Sequence, residues 1–219
     1  MQVSVFCDVT DAWSYIGVTR LNRAAATFTL ITGEPVISSL RASQLSPDEP
    51  NDGQPLMDAL ADELGGRDRA EKHVEQVVAA AKITGLDIDV TDAVRANSFD
   101  AWRLLSWALE QGPGPQQDLA QQLWRAHFLE GADVGDPLVL ASRAALAGLD
   151  LEAADAVLEG DDYADAVRTQ DETARSLGIK QHPLVVVESR WTLAGLQSQD
   201  DYVRGLQQMY AQWRDELGS

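Results

Sequence analysis

"CDVTDAWSYIG", residues 7–17, joins a strand pattern to a helical one. Before it, Val3, Val5 and Cys7 alternate along an extended segment, the period of a half-buried strand. After it, Ile16, Leu21, Ala24, Ala25 and Phe28 recur at helical spacing. Gly33 then stands where a helix stops on a left-handed residue. "EPVISSLRA", residues 34–42, reads as a second strand. Strand, helix and strand in such close succession make a βαβ unit, which lays two parallel strands side by side. The corner between the first strand and the helix presents free N–H groups and a partial positive charge, a place that stabilises an anion.

Beyond this unit the pattern changes. "LSPDEPNDGQP", residues 45–55, is a loop rich in Pro, Asp and Gly. From residue 56 to about residue 178 the chain reads as successive amphipathic helices with polar starts and glycine stops. One of them starts at an Asn97/Ser98 cap. Strand signals return in "HPLVVVE", 182–188, and in 190–195, with a tight hairpin between them. A final helix carries Tyr202, Leu206, Met209 and Trp213 as a core-facing stripe. The order βαβ, helical block, αββα is that of an α/β thioredoxin-like fold with an inserted all-α-helical domain. The expected division is 1–44 plus 162–219 for the thioredoxin-like part and 45–161 for the insertion.

Composition narrows the partners. The chain has 219 residues, 35 Asp plus Glu against 17 Lys plus Arg, and a formal net charge of -18. That charge repels phosphate backbones and anionic membrane surfaces, so neither nucleic acid nor membrane is expected as a partner. No run approaches the ~18 apolar residues of a membrane span, and the start has no signal-peptide pattern, so a cytoplasmic location is expected. Trp-bearing helical faces offer apolar surface for a homodimer.

Cys7 is the single cysteine, which excludes an intramolecular disulfide and a multi-cysteine metal site. Its strand alternation makes it a buried, inert thiol; a reactive one needs an electropositive, accessible setting, and Asp8 argues against that. His73 and His127 fall on what read as boundary faces of helices. No histidine pair has ligand spacing, so no metal is expected.

The whole chain resembles the DsbA-like family, in its cytoplasmic FrnE-type branch. The resemblance rests on Asp8, Trp13, Tyr15, Ile16 and Gly17 in the opening stretch, on "LSPDEP" at 45–50, "NSFDAWRLLSWA" at 97–108, "LWRAHFLEGADVGD" at 123–136, "HPLVVV" at 182–187 and "LAGLQSQDDY" at 193–202. The family's C-P-W-C becomes Asp11, Ala12, Trp13 and Ser14 here, so both redox cysteines are lost. Dithiol exchange needs an attacking thiolate and a resolving thiol, and this chain has neither. The chain also resembles, in outline, the 2-hydroxychromene-2-carboxylate isomerases and kappa-class glutathione transferases, whose S-P-Y-S turn matches it at Ser14 but not at Asp11.

The resemblance implies a site. Pro183 matches the superfamily's cis-proline and faces the Asp11 to Ser14 turn, which turns His182 into the same pocket. Asp11, Ser14 and His182 are therefore the candidate acid–base group, set against simple drift after the cysteines were lost. Trp13, Pro183, Asn97, Trp102 and Arg103 are the candidate ligand-binding residues, with packing and surface pairing as the alternatives for Trp102 and Arg103. The expected function is a redox-inactive protein that keeps a cleft for a small-molecule ligand or a partner. The alternative is an isomerase or a thiol-dependent transferase, with glutathione or another low-molecular-weight thiol as cofactor. A thiol–disulfide oxidoreductase, the family's own activity, comes third.

Overall fold

In the computed structural model, which describes residues 1–217, the corner at 7–17 joins β1 (Gln2–Cys7) to α1 (Ala12–Thr32). Gly33 ends α1 at φ 75°, where its N–H reaches back to the Thr29 carbonyl at 2.8 Å. β2 (Ile37–Ala42) follows and runs parallel to β1, with Leu40 opposite Val5. It starts at Ile37 rather than at residue 34; Pro35 has no N–H to give to a ladder.

The helices α2 (Leu56–Leu64), α3 (Arg67–Thr84), α4 (Phe99–Glu110), α5 (Pro113–Leu129), α6 (Pro137–Leu146) and α7 (Leu151–Glu159) come next. Then α8 (Ala164–Ser176) leads to β3 (Leu184–Val187), β4 (Trp191–Ala194) and α9 (Gln199–Leu217). The sheet order is β2-β1-β3-β4. β3 lies antiparallel to β1, with Val185 opposite Val5, and β4 antiparallel to β3. This is the thioredoxin-like α/β fold with its helical insert between β2 and α8. The last two residues of the expected 162–219 segment lie outside the described residues.

Strand alternation sorts the side chains by face. Val3, Val5, Cys7, Val185 and Val187 join the main core. Phe6 and Leu184 turn to the opposite face and pack with Ala174 of α8. α1 and α9 pack together, and α4, α5 and α8 lie against β2. One cluster of buried residues runs from β1 and α1 through α4, α5, α6 and α7, so the helical block and the sheet share a core. Its largest members, Trp102 and Trp124, are fully buried. Each removes on the order of 200 Å² from water, worth roughly 5 kcal/mol before chain entropy is counted. Tyr202 and Leu206 of α9 are fully buried as the stripe requires, and Met209 packs on the same core.

The outer edge of β2 is closed by side chains rather than by a strand. The Gln116 amide accepts from the Leu40 N–H at 2.8 Å and donates to the Leu40 carbonyl at 3.0 Å. Gln170 accepts from the Ala42 N–H at 2.7 Å. An unpaired edge would otherwise offer these groups to another chain.

Candidate functional site

β1 ends at Cys7, and the chain must turn into α1 within four residues, Asp8 to Asp11. Asp11 makes the turn as the N-cap, with extended backbone at φ -101° and ψ 116°. Its carboxylate accepts from Trp13 N at 3.2 Å through Oδ1, and from Ser14 N at 2.8 Å through Oδ2. Ser14 Oγ also donates to Oδ2, at 2.7 Å. Two of the free N–H groups of the helix start are thus met by a carboxylate of the chain itself.

The turn is sealed from behind. Ser14 is fully buried, and its Oγ accepts from Asp8 N at 3.1 Å. Asp8 is buried too; its Oδ2 accepts from Leu45 N at 2.8 Å and its Oδ1 from Trp102 Nε1 at 3.4 Å. Burial, more than any neighbour, pushes the Asp8 carboxyl above its ordinary range, and the charge of Asp11 adds to the rise. Asp171 of α8 is raised by burial as well, and it accepts from Gln44 N at 2.8 Å. Cys7 is fully buried, and burial together with Asp8 and Asp11 holds its thiol well above the usual value. It has neither the access nor the thiolate character that thiol chemistry needs.

His182 reaches the turn from across the sheet. The His182–Pro183 peptide is cis. Nε2 of His182 lies 2.8 Å from Ser43 Oγ, just past the end of β2, and Nδ1 lies 4.0 Å from Asp11 Oδ2. Both side chains are nearly enclosed, at 8% exposure for His182 and 9% for Asp11. Gly17 explains itself at this junction. A Cβ there would stand 2.6 Å from Cδ and Cγ of Pro183, so only glycine lets α1 lie against that proline.

In front of the turn opens a cleft of about 1110 Å³. Asp11, Trp13 and His182 line it, beside Thr10 and Leu45. The facing wall comes from α2 and α3, with Leu60, Val74 and Val77, and Phe128 and His127 of α5 contribute to the lining. Trp13 meets His73 edge to face at 6.2 Å, so these two rings stand side by side on the lining. His127 is buried rather than at a boundary, and burial lowers its pKa to about 4, so it stands neutral. Its ring lies 4.6 Å from that of Phe128, and beside it the irregular segment after α3 bonds Asp89 N to the Phe128 carbonyl at 2.7 Å.

The remaining expected residues do not line the cleft. Ser14 and Pro183 lie directly beneath it, both buried. Trp102 is fully buried behind the turn, on Asp8. Asn97 holds the loop, donating to the Pro47 and Glu49 carbonyls at 3.0 and 2.8 Å, and its Oδ1 accepts from Phe99 N at 2.9 Å. It thereby does the capping at α4, where Ser98 makes no side-chain cap bond. Arg103 is buried, pairs with Asp100 at 2.8 Å, and donates to the backbone of Val157, Gly160 and Asp162. Its guanidinium ties α4 to the end of α7 and is not offered to a ligand.

Two residues of the site escaped the sequence reading. Ser43 orients His182, and its only signal is a polar residue directly after a strand that ends buried. Asp8 supports the turn as much as Asp11 does, and an acidic residue immediately after an apolar strand is its signal. No cluster of His, Cys, Asp or Glu able to hold a metal occurs among the described residues.

A family model for the DSBA-like thioredoxin domain matches residues 2–207. Among solved structures, a probable DsbA oxidoreductase from Streptomyces coelicolor is 29% identical, with a TM-score of 0.87 over 96% of this chain and 90% of its own. The cytosolic disulfide reductase DsbM from Pseudomonas aeruginosa, solved with GSH, is 18% identical, with a TM-score of 0.65 over 96% of this chain and all (100%) of its own. A 2-hydroxychromene-2-carboxylate isomerase is 12% identical, with a TM-score of 0.63 over 100% of this chain and 98% of its own. The last two share the fold. No curated protein matches the sequence.

Proposed function

Because the chain belongs to the DSBA-like thioredoxin family, we propose that it is a member that has left thiol–disulfide chemistry and keeps its cleft to bind a small molecule. The observation that carries this reading is Asp11. Its carboxylate occupies the helix start, where the family's chemistry needs a thiolate, and already takes the Trp13 and Ser14 N–H groups. Cys7, the single thiol, is buried on β1. Purified protein is expected to give background rates in insulin reduction and in oxidation of a dithiol peptide; clear turnover in either assay would overturn the reading. Binding is tested by thermal shift with glutathione, other small thiols and naphthalene-based amines, alcohols and carboxylates. A stabilising shift that disappears in Asp11→Ala supports a functional cleft, and no shift with any compound counts against it.

A second reading is supported by His182. Its Nδ1 at 4.0 Å from Asp11 and its Nε2 bond to Ser43 suit a general base oriented by a hydroxyl and steadied by a carboxylate. In this reading the protein is an isomerase or a thiol-dependent transferase, with glutathione or a similar thiol as cosubstrate. His182 takes the substrate proton, Asp11 stabilises the resulting imidazolium, and Ser14 fixes Asp11 rather than attacking. Catalysis that falls at least a hundredfold in His182→Gln, with ligand binding kept, supports this reading; unchanged turnover removes it.

A further inference from the structure

Helix α2 is amphipathic but unfinished. Leu56, Leu60 and Leu64 repeat every four residues along one face, and all three line the cleft. No residue of α2 is buried. Leu56 and Val74 of α3 pack on the core, and Leu60 and Leu64 stay half-buried on the cleft lining. The cleft therefore has an apolar wall on α2 and α3.

The charges of the same cleft are unbalanced. Asp11, Glu49, Asp62 and Glu63 line it, against Arg95 and Lys180; Asp62 and Glu63 are exposed, and Glu49 is held by Arg95, which leaves Asp11 as the enclosed charge. Arg95 is already spent: Nη1 pairs with Glu49 at 2.8 Å and Nη2 with Asp52. Lys180 is exposed to solvent. At the start of α1 an incoming anion meets the Asp11 carboxylate, which has taken the Trp13 and Ser14 amides. An incoming cation meets a carboxylate whose side chain is only 9% exposed and whose Oδ1 holds a single bond, at 3.2 Å. That oxygen keeps acceptor capacity. The Trp13 ring on the same wall adds a face that attracts a cation.

We propose that the ligand class is an apolar amine, its hydrocarbon body against the α2–α3 wall and its ammonium on Asp11. The proposal rests on the small-molecule reading above and sharpens it. It is tested on the full chain by calorimetry at about pH 8, where ordinary histidines are neutral. The probes are 2-(2-naphthyl)ethylamine, 2-(2-naphthyl)ethanol and 2-naphthylacetic acid, which share one aromatic body and differ in charge. The amine is expected to bind about tenfold tighter than the alcohol, and the acid about tenfold weaker. Asp11→Asn keeps a good cap residue and is expected to bring the amine within about threefold of the alcohol. Leu60→Asn is expected to weaken the amine and the alcohol alike.

Three results overturn the proposal. If the acid or glutathione binds tighter than the amine, the class is wrong while the cleft remains a small-molecule site. If Asp11→Asn leaves the amine preference intact, Asp11 is not its partner. If none of the three probes nor glutathione binds, the class fails together with the small-molecule reading.

Discussion

Asp11 and Asp150 perform the same local task in two different surroundings. Asp150 starts α7 and accepts from Ala153 N at 2.8 Å, on an exposed turn. Asp136 does the same for α6, accepting from Leu138 N at 2.8 Å. Each of these bonds is what an N-cap needs and no more. Asp11 accepts from two amides and a hydroxyl, stands nearly enclosed, and has an imidazole 4.0 Å away. Capping accounts for Asp150 completely. At Asp11 it leaves the hydroxyl, the burial and the neighbour over, and these are what qualify it as part of a site.

Substitutions can break this contrast or sharpen it. The largest effect is expected for Asp11→Ala. It removes a cap, worth about 1 kcal/mol, and leaves the buried Ser14 hydroxyl without its acceptor, worth roughly 2 kcal/mol more. Urea unfolding should therefore show a loss of about 3 kcal/mol. A loss no greater than that of Asp150→Ala would make Asp11 an ordinary cap. Next comes Ser14→Ala, which frees the Asp8 N–H and one Asp11 bond in a buried setting, at about 2 kcal/mol. Asp150→Ala should cost about 1 kcal/mol and leave ligand binding untouched. A change in binding there would show that any lost cap disturbs the cleft.

The smallest effect is a slope. Burial raises the Asp8 carboxyl in the folded chain. The protonated form therefore favours the fold. This stability is complete below the unfolded-state value of about 3.9 and is lost as pH rises through the raised folded value. Asp8→Asn has no such proton to lose. Measured against the parent, its stability should improve steadily from about pH 4 towards neutrality. A difference constant across that range would mean that Asp8 ionises freely.

Much of the fold was legible because it is written locally. The alternation of Val3, Val5 and Cys7, the helical period after Asp11 and the glycine stops each concern residues a few positions apart. The parallel β1–β2 pair follows from them by connection rules alone. The site was legible only in part, because its geometry joins distant segments. Asp11 and Ser14 are three positions apart, and their bond belongs to one turn. Ser43 and His182 are 139 positions apart, and nothing in either neighbourhood announces the other. Arg103 reads as a surface cation by type, yet the backbone of Val157, Gly160 and Asp162 encloses it. His127 was hidden for a related reason. Periodicity assigns faces on a helix, but it does not register which distant segments pack onto them.

The carboxylate at the start of α1 has one more consequence, for how the protein meets its surroundings. A cysteine at that place would alternate between a charged thiolate and a neutral disulfide as the ambient thiol pool changed. The field in such a cleft would rise and fall with the reduction potential around it. Asp11 has no disulfide form. No thiol–disulfide exchange reaches it, and the start of α1 presents one electrostatic face in a reducing and in an oxidising medium alike. The helix start has become a fixed fitting whose charge thiol–disulfide exchange does not switch.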